Sequence, residues 1–163
     1  MADVRYKLLY VDDELRERPH LADAFEDAGF DVTAAMSGQQ AYDSLIAQHS
    51  FDAIILDNMM PVGSDDETSW RPEDTLYGFR TGIVLLRKLK SLADKGTCKV
   101  PPIWILTALP DSSVHREATD EEMKGIVKEY VYKIPRPGAH MELARRIRAF
   151  LDQGEAQRKA SNG

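Results

Sequence analysis

Five short apolar runs punctuate the chain: VRYKLLYV at residues 4 to 11, FDVTAA at 30 to 35, DAIIL at 52 to 56, PIWILT at 102 to 107 and YVYK at 130 to 133. Between them, apolar residues recur at helical spacing. Leu21, Ala24, Phe25 and Ala28 form a first stripe that Gly29 stops, and Ala41, Leu45 and Ile46 form a second, opened by Ser37 and Gly38. Ile83, Leu86, Leu89 and Leu92 form a third, and Leu143, Ile147, Phe150 and Leu151 form a last one over residues 138 to 152. Strands that are apolar on both faces and alternate with helices specify a parallel sheet covered on both sides. The expectation is an α/β domain of (βα)5 form over residues 1 to 152, with 153 to 163 as a flexible tail. Residues 110 to 129 are too polar for a clear stripe, so the helix there is expected to start late, capped by Thr119 or Asp120.

With 163 residues, 43% of them hydrophobic, the chain can bury one sizeable core. A net charge of −6 argues against a general affinity for nucleic acid or anionic membranes. Arg145, Arg146 and Arg148 read as a solvated face complementing the macrodipole of the last helix. The single cysteine, Cys98, has no partner for an internal disulfide, and the absence of an apolar leader or a span of about 18 uncharged residues points to the cytoplasm. The four histidines have no ligand spacing and are assigned no role.

The strand ends carry the chemistry. Asp12 and Asp13 follow the first strand, Asp57 ends the third, Thr107 the fourth and Lys133 the fifth, which places all five on one rim of a parallel sheet. Carboxylates about 5 Å apart repel by roughly 3 kcal/mol per pair at an effective dielectric near 20, so the group must raise a pKa or bind a cation. Oxygen-only donors suit Mg²⁺, and by extension Mn²⁺, better than zinc. Taken singly, Asp12 or Asp13 reads as a helix cap, Asp57 as a turn residue before Pro61, Thr107 as a strand residue, Tyr130 as a core aromatic and Lys133 as a solvated lysine. Their arrival in order at successive strand ends is what favours a site.

These elements resemble the response-regulator receiver family, the phosphoacceptor half of two-component signalling. The likeness rests on the Asp12–Asp13 pair, on Asp57, Met60 and Pro61 as D-x-x-M-P, on Thr107–Ala108, Tyr130 and Lys133, and on AGFDVTAAMSGQQAYDSL. It covers residues 4 to 152 apart from 62 to 79. The resemblance implies a flavodoxin-like five-stranded sheet of order 2-1-3-4-5. It implies that Asp57 accepts a phosphoryl group from a histidine kinase or histidine phosphotransfer protein. It also implies Mg²⁺ on Asp12, Asp13, Asp57 and the Met59 carbonyl, catalytic support from Lys133 and Thr107, and a Thr107–Tyr130 switch acting on the fourth helix, fifth strand and fifth helix. Such a domain catalyses only its own phosphorylation and slow hydrolysis, and signals by binding an unidentified downstream protein, as a monomer or a phosphorylation-dependent dimer. Glu14 belongs to the first helical turn and is not a ligand. Met59 and Leu109, each two positions past a site residue, are apolar and favour a persistent phosphoryl group.

Two departures stand out. Ile134 intervenes between Lys133 and Pro135, which leaves a cis bond open at Ile134–Pro135 or Arg136–Pro137. The stretch from Val62 to Phe79 has neither strand nor helix period and reads as a long inserted loop, either a passive excursion or a lid or docking element with Trp70 and Tyr77 as anchors. A non-phosphorylated interaction module using that loop is the alternative reading. An aspartyl phosphohydrolase would want an acid where Met59 stands, and a flavin phosphate would be repelled by DDELRE after the first strand.

Overall fold

A computed structural model describes residues 4–47, 50–108, 112–133 and 135–163. Five parallel strands, β1 (Tyr6–Val11), β2 (Phe30–Ala35), β3 (Ala53–Leu56), β4 (Ile103–Thr107) and β5 (Val127–Tyr132), form one sheet in the order β2-β1-β3-β4-β5. This is the flavodoxin-like arrangement expected. Alternation along β1 divides the core. Leu9 and Val11 face a cluster with Ala41, Leu45, Ile83, Leu86 and Leu89, while Leu8 and Tyr10 face Phe25, Leu143, Ile147 and Leu151. Helices α2 (Gly38–Ala47), α4 (Thr81–Asp94) and α5 (Ser112–Ala118) cover the first face, and α1 (Asp23–Asp27) and α6 (Ala139–Ser161) cover the second.

Several boundaries differ from expectation, each for a local reason. β5 begins at Val127, because an edge strand carries polar residues that mask its period: Glu129 pairs with Arg146 and the Lys128 ammonium lies over the Phe150 ring. α5 starts at Ser112, not near Thr119; its stripe is only Val114 and Ala118, both fully buried. Thr119 and Asp120 follow it, the Thr119 hydroxyl donating to His115 O and the Asp120 carboxylate accepting from Met123 N. α6 does not stop at 152 but continues to Ser161 through Gly154, so residues expected as a flexible tail are helical. Glu155 pairs with Lys159 one turn on, and the Tyr6 hydroxyl donates to Asp152 and Glu155. On α2, Ile46 is 38% exposed, so only Ala41 and Leu45 of the expected trio face inward. Gly29, at φ +91°, ends α1 as anticipated. Arg148 is not merely solvated: its guanidinium donates to Ala28 O and Gly29 O beyond α1.

The 62–79 segment is folded onto the domain. Pro61 O and Val62 O accept from Gly38 N and Gln39 N, satisfying orphan donors at the start of α2. The Trp70 ring is 3% exposed, donates through Nε1 to Gln39 Oε1 at 2.7 Å, and lies beneath the Lys88 ammonium. Gly38 makes this possible, since a Cβ there would come within 2.9 Å of the ring. Trp70 is thus anchored to its own chain, not held out for a partner. A single helical turn, α3 (Pro72–Thr75), follows it. No cis peptide bond occurs among the described residues, so the Arg136–Pro137 bond is trans. The Ile134–Pro135 bond and Leu109 lie outside the described residues.

Candidate functional site

Strand pairing sets the site. Asp57 N donates to Val11 O, and β1 and β3 are neighbours, so the acids that follow them meet above the middle of the sheet. Asp12, Asp13 and Asp57 each offer a carboxylate oxygen within 4.8 Å of the others. Asp12 is both cap and cluster member: its Oδ1 accepts from Glu14 N at 2.9 Å at the start of the 3-10 turn Asp13–Arg16. Asp57 Oδ1 accepts from Met59 N at 3.2 Å. The Lys133 ammonium reaches across from the end of β5 to Asp12 Oδ2 at 2.8 Å, Asp57 Oδ2 at 3.0 Å and Glu14 Oε1 at 3.2 Å. Its approach to Asp12 is an ion pair without hydrogen-bond alignment, which leaves that buried oxygen without a hydrogen bond among the described residues.

Three carboxylates therefore surround one ammonium and Asp13 adjoins two of them, with Asp12 fully buried and Asp57 nearly so. Burial raises the Asp57 pKa to about 6, with Lys133 opposing and Asp12 adding to the rise. Burial likewise pushes Asp12 up against the pull of Lys133. For Lys133, burial works to lower the pKa, but the Asp57 and Asp12 carboxylates outweigh it and the group is held charged above its ordinary value. An all-oxygen, mostly anionic donor set whose members lie within 4.8 Å of one another fits a hard divalent cation.

Thr107 ends β4 fully buried, its Oγ1 without a hydrogen-bond partner among the described residues, while its carbonyl accepts from Lys133 N at 2.8 Å. Tyr130 is half-buried on β5, its ring edge-on to His115 at 4.8 Å and to Tyr132 at 5.5 Å. All the residues anticipated from strand ends thus gather on one rim, with Tyr130 behind it. His140 packs edge-on against Phe25, and burial lowers its pKa.

Three features were not anticipated. Glu14 touches Lys133, although it reads in sequence as a helical-turn residue. Asn58 fastens the turn after Asp57 to the following segment: Nδ2 donates to Phe79 O at 2.8 Å, and Oδ1 accepts from Ile83 N at 3.2 Å. Gly82 N donates to Asn58 O, and a Cβ on Gly82 would lie 2.3 Å from Asp57 O. Beside these, Asp13, Met59, Met60, Pro61, Tyr77, Gly78 and Phe79 line an open hollow of about 320 Å³. Leu76 and Tyr77 hold φ +46° and +54°, a conformation costing a non-glycine residue about 1–3 kcal/mol.

No protein-family model matches the chain. It is 30% identical over 145 residues to the response regulator MprA of Mycolicibacterium vanbaalenii, covering 89% of this chain and 50% of that protein. It is 32% identical over 153 residues to the transcriptional regulatory protein CusR of Escherichia coli, covering 92% of this chain and 53% of that one. The chain thus spans about half the length of the curated relatives it matches. Among solved structures, the receiver domain of Francisella response regulator 1452 is 27% identical at a TM-score of 0.59, covering 91% of this chain and 98% of that one. A CheY-like receiver domain protein from Methanospirillum hungatei superposes at a TM-score of 0.66 with 17% identity, covering 94% and 99% of the two chains, a likeness of fold.

Proposed function

We propose, taking as premise that the chain belongs to the response-regulator receiver family, that Asp57 accepts a phosphoryl group from a phosphohistidine on a histidine kinase or histidine phosphotransfer protein. The observation that carries this reading is the Lys133 ammonium 3.0 Å from Asp57 Oδ2, beside an Asp12–Asp13–Asp57 cluster whose oxygens lie within 4.8 Å of one another. An Asp57 oxygen attacks phosphorus, the P–O bond forms as the P–N bond breaks, and the histidine nitrogen keeps the electron pair. Such transfers depend chiefly on positioning and charge neutralisation. Lys133 is a compact point charge on a flexible stem, suited to exchange the carboxylate for a phosphoryl oxygen. Thr107 Oγ1 donates to another.

Asp12, Asp13, Asp57 and the Met59 carbonyl would hold Mg²⁺ or Mn²⁺, which supplies positive charge to the phosphoryl oxygens when bound. Movement of Thr107 admits Tyr130 and alters the surface of α5, β5 and α6, on which a downstream protein docks. The apolar Met59 orients no hydrolytic water, so the phosphoryl group persists and the domain is a signalling switch with no substrate but itself. We place it in the cytoplasm, without nucleic-acid or membrane binding of its own, as a monomer or a dimer formed on phosphorylation. None of the described helices is long and apolar enough to cross a membrane.

Acetyl phosphate with Mg²⁺ should add one phosphoryl mass to the intact protein, and Asp57→Asn should remove that gain. A wild-type chain left unmodified would overturn the assignment.

A further inference from the structure

Three large apolar side chains at the end of the 62–79 segment are exposed: Leu76 at 47%, Tyr77 at 86% and Phe79 at 57%. Elsewhere the same segment buries its tryptophan, so exposure here is specific to these positions. They are not carried on a loose strand. Phe79 O accepts from Asn58 Nδ2 and Gly78 O accepts from Met60 N, so the turn presenting them is tied to the residues that follow Asp57. Tyr77 and Phe79 form one wall of the hollow whose other walls are Asp13, Met59, Met60 and Pro61. Leu76 and Tyr77 keep a backbone conformation that glycine would adopt more readily, yet both positions carry bulky side chains turned to solvent.

We propose that Leu76, Tyr77 and Phe79 form the seat on which a protein phosphodonor lands, through a face of apolar and basic side chains surrounding its phosphohistidine. This deepens the reading of Asp57 as acceptor and rests on it. The apolar part follows from the side chains themselves. The basic part follows from charge: Asp13 is the one charged residue lining the hollow, and residues 62 to 79 contain Asp65, Asp66, Glu67, Glu73 and Asp74 against Arg71 alone. A second copy of this chain, at net −6, is a poor match for that seat. A small donor passes into the site without touching it, whereas a folded donor delivering phosphorus to Asp57 must cover the adjoining rim.

The test compares two donors on the full chain. Acetyl phosphate is one, and the other is whichever purified, autophosphorylated histidine kinase from a panel labels wild type fastest. Tyr77→Gly removes the ring while suiting the φ of +54°, so loss of fold does not confound it. Acetyl phosphate labelling should stay within about twofold of wild type, while kinase transfer falls at least about tenfold in Tyr77→Gly and survives in Tyr77→Phe. Kinase transfer at the wild-type rate in Tyr77→Gly would overturn the seat, as would a self-associated wild type that this variant disperses. A wild type that acetyl phosphate cannot label would instead refute the acceptor reading.

Discussion

The rim at the strand ends and the 62–79 segment beside it are held in opposite ways. The rim gathers Asp12, Glu14 and Asp57 around a single ammonium with Asp13 beside them, and Asp57 is pushed up to about 6 by burial. It is kept against its own electrostatics. The segment is kept by packing, through Trp70 under Lys88 and against Gly38, and through carbonyls that complete the first turn of α2. Removing side chains should therefore have opposite signs in the two places: a loss of stability in the segment, a gain in the rim. A region that stores repulsion is poised for chemistry, and a region that offsets it with buried area keeps the fold intact.

The sharpest break of that contrast is Trp70→Ala, which should cost about 3–5 kcal/mol in urea unfolding, as deletion of a buried large aromatic does. An unchanged midpoint would mean the segment contributes nothing to the fold. In the rim, Asp57→Asn should stabilise the metal-free protein at pH 7.5 by up to about 3 kcal/mol. The sign follows from the raised pKa: the folded state binds the proton more tightly, so ionisation penalises folding above about 6, and the penalty is gone near pH 3.8 and below. The gain should thus shrink as pH falls from 6 to 4, and a pH-independent gain would locate its origin elsewhere. Mg²⁺ should act in the same direction as the substitution, by about 2.7 kcal/mol at a hundredfold excess over its dissociation constant, and Asp13→Asn should weaken that response. The smallest effect is expected at the segment's exposed tip, where Tyr77→Gly should change stability by less than about 1 kcal/mol, strain relief offsetting the loss of backbone order. A large destabilisation there would assign Tyr77 to packing.

What could be read from the chain, and what could not, divides along sequence distance and burial. β1, β3 and β4 are legible because strands buried on both faces must be apolar almost without interruption, and the acids after them stand out at once. That order brings Asp12, Asp57, Thr107 and Lys133 to one edge once the sheet is parallel. β5 and α5 are not, since an edge strand with Lys128 and Glu129 and a helix with a two-residue stripe give no clean period. The remaining misses depend on partners far along the chain. Trp70 is fixed by Gln39, 31 positions away, and Glu14 meets Lys133 across 119. No local pattern announces such pairs. Residues 153 to 163 read as a tail, but Tyr6, from the first strand, grips the turn around Gly154 and α6 carries on.

Position 82 has one further bearing on how the molecule moves. With the Asp57 carbonyl and the Asn58 backbone pressed against a residue that has no side chain, the turn after Asp57 and the first turn of α4 are packed without slack between them. On the opposite flank the Thr107 hydroxyl has no hydrogen-bond partner among the described residues. Were Asp57 to be modified as proposed, the change would meet resistance toward α4 and freedom toward β4, so a missing methyl group would set the direction in which the news travels.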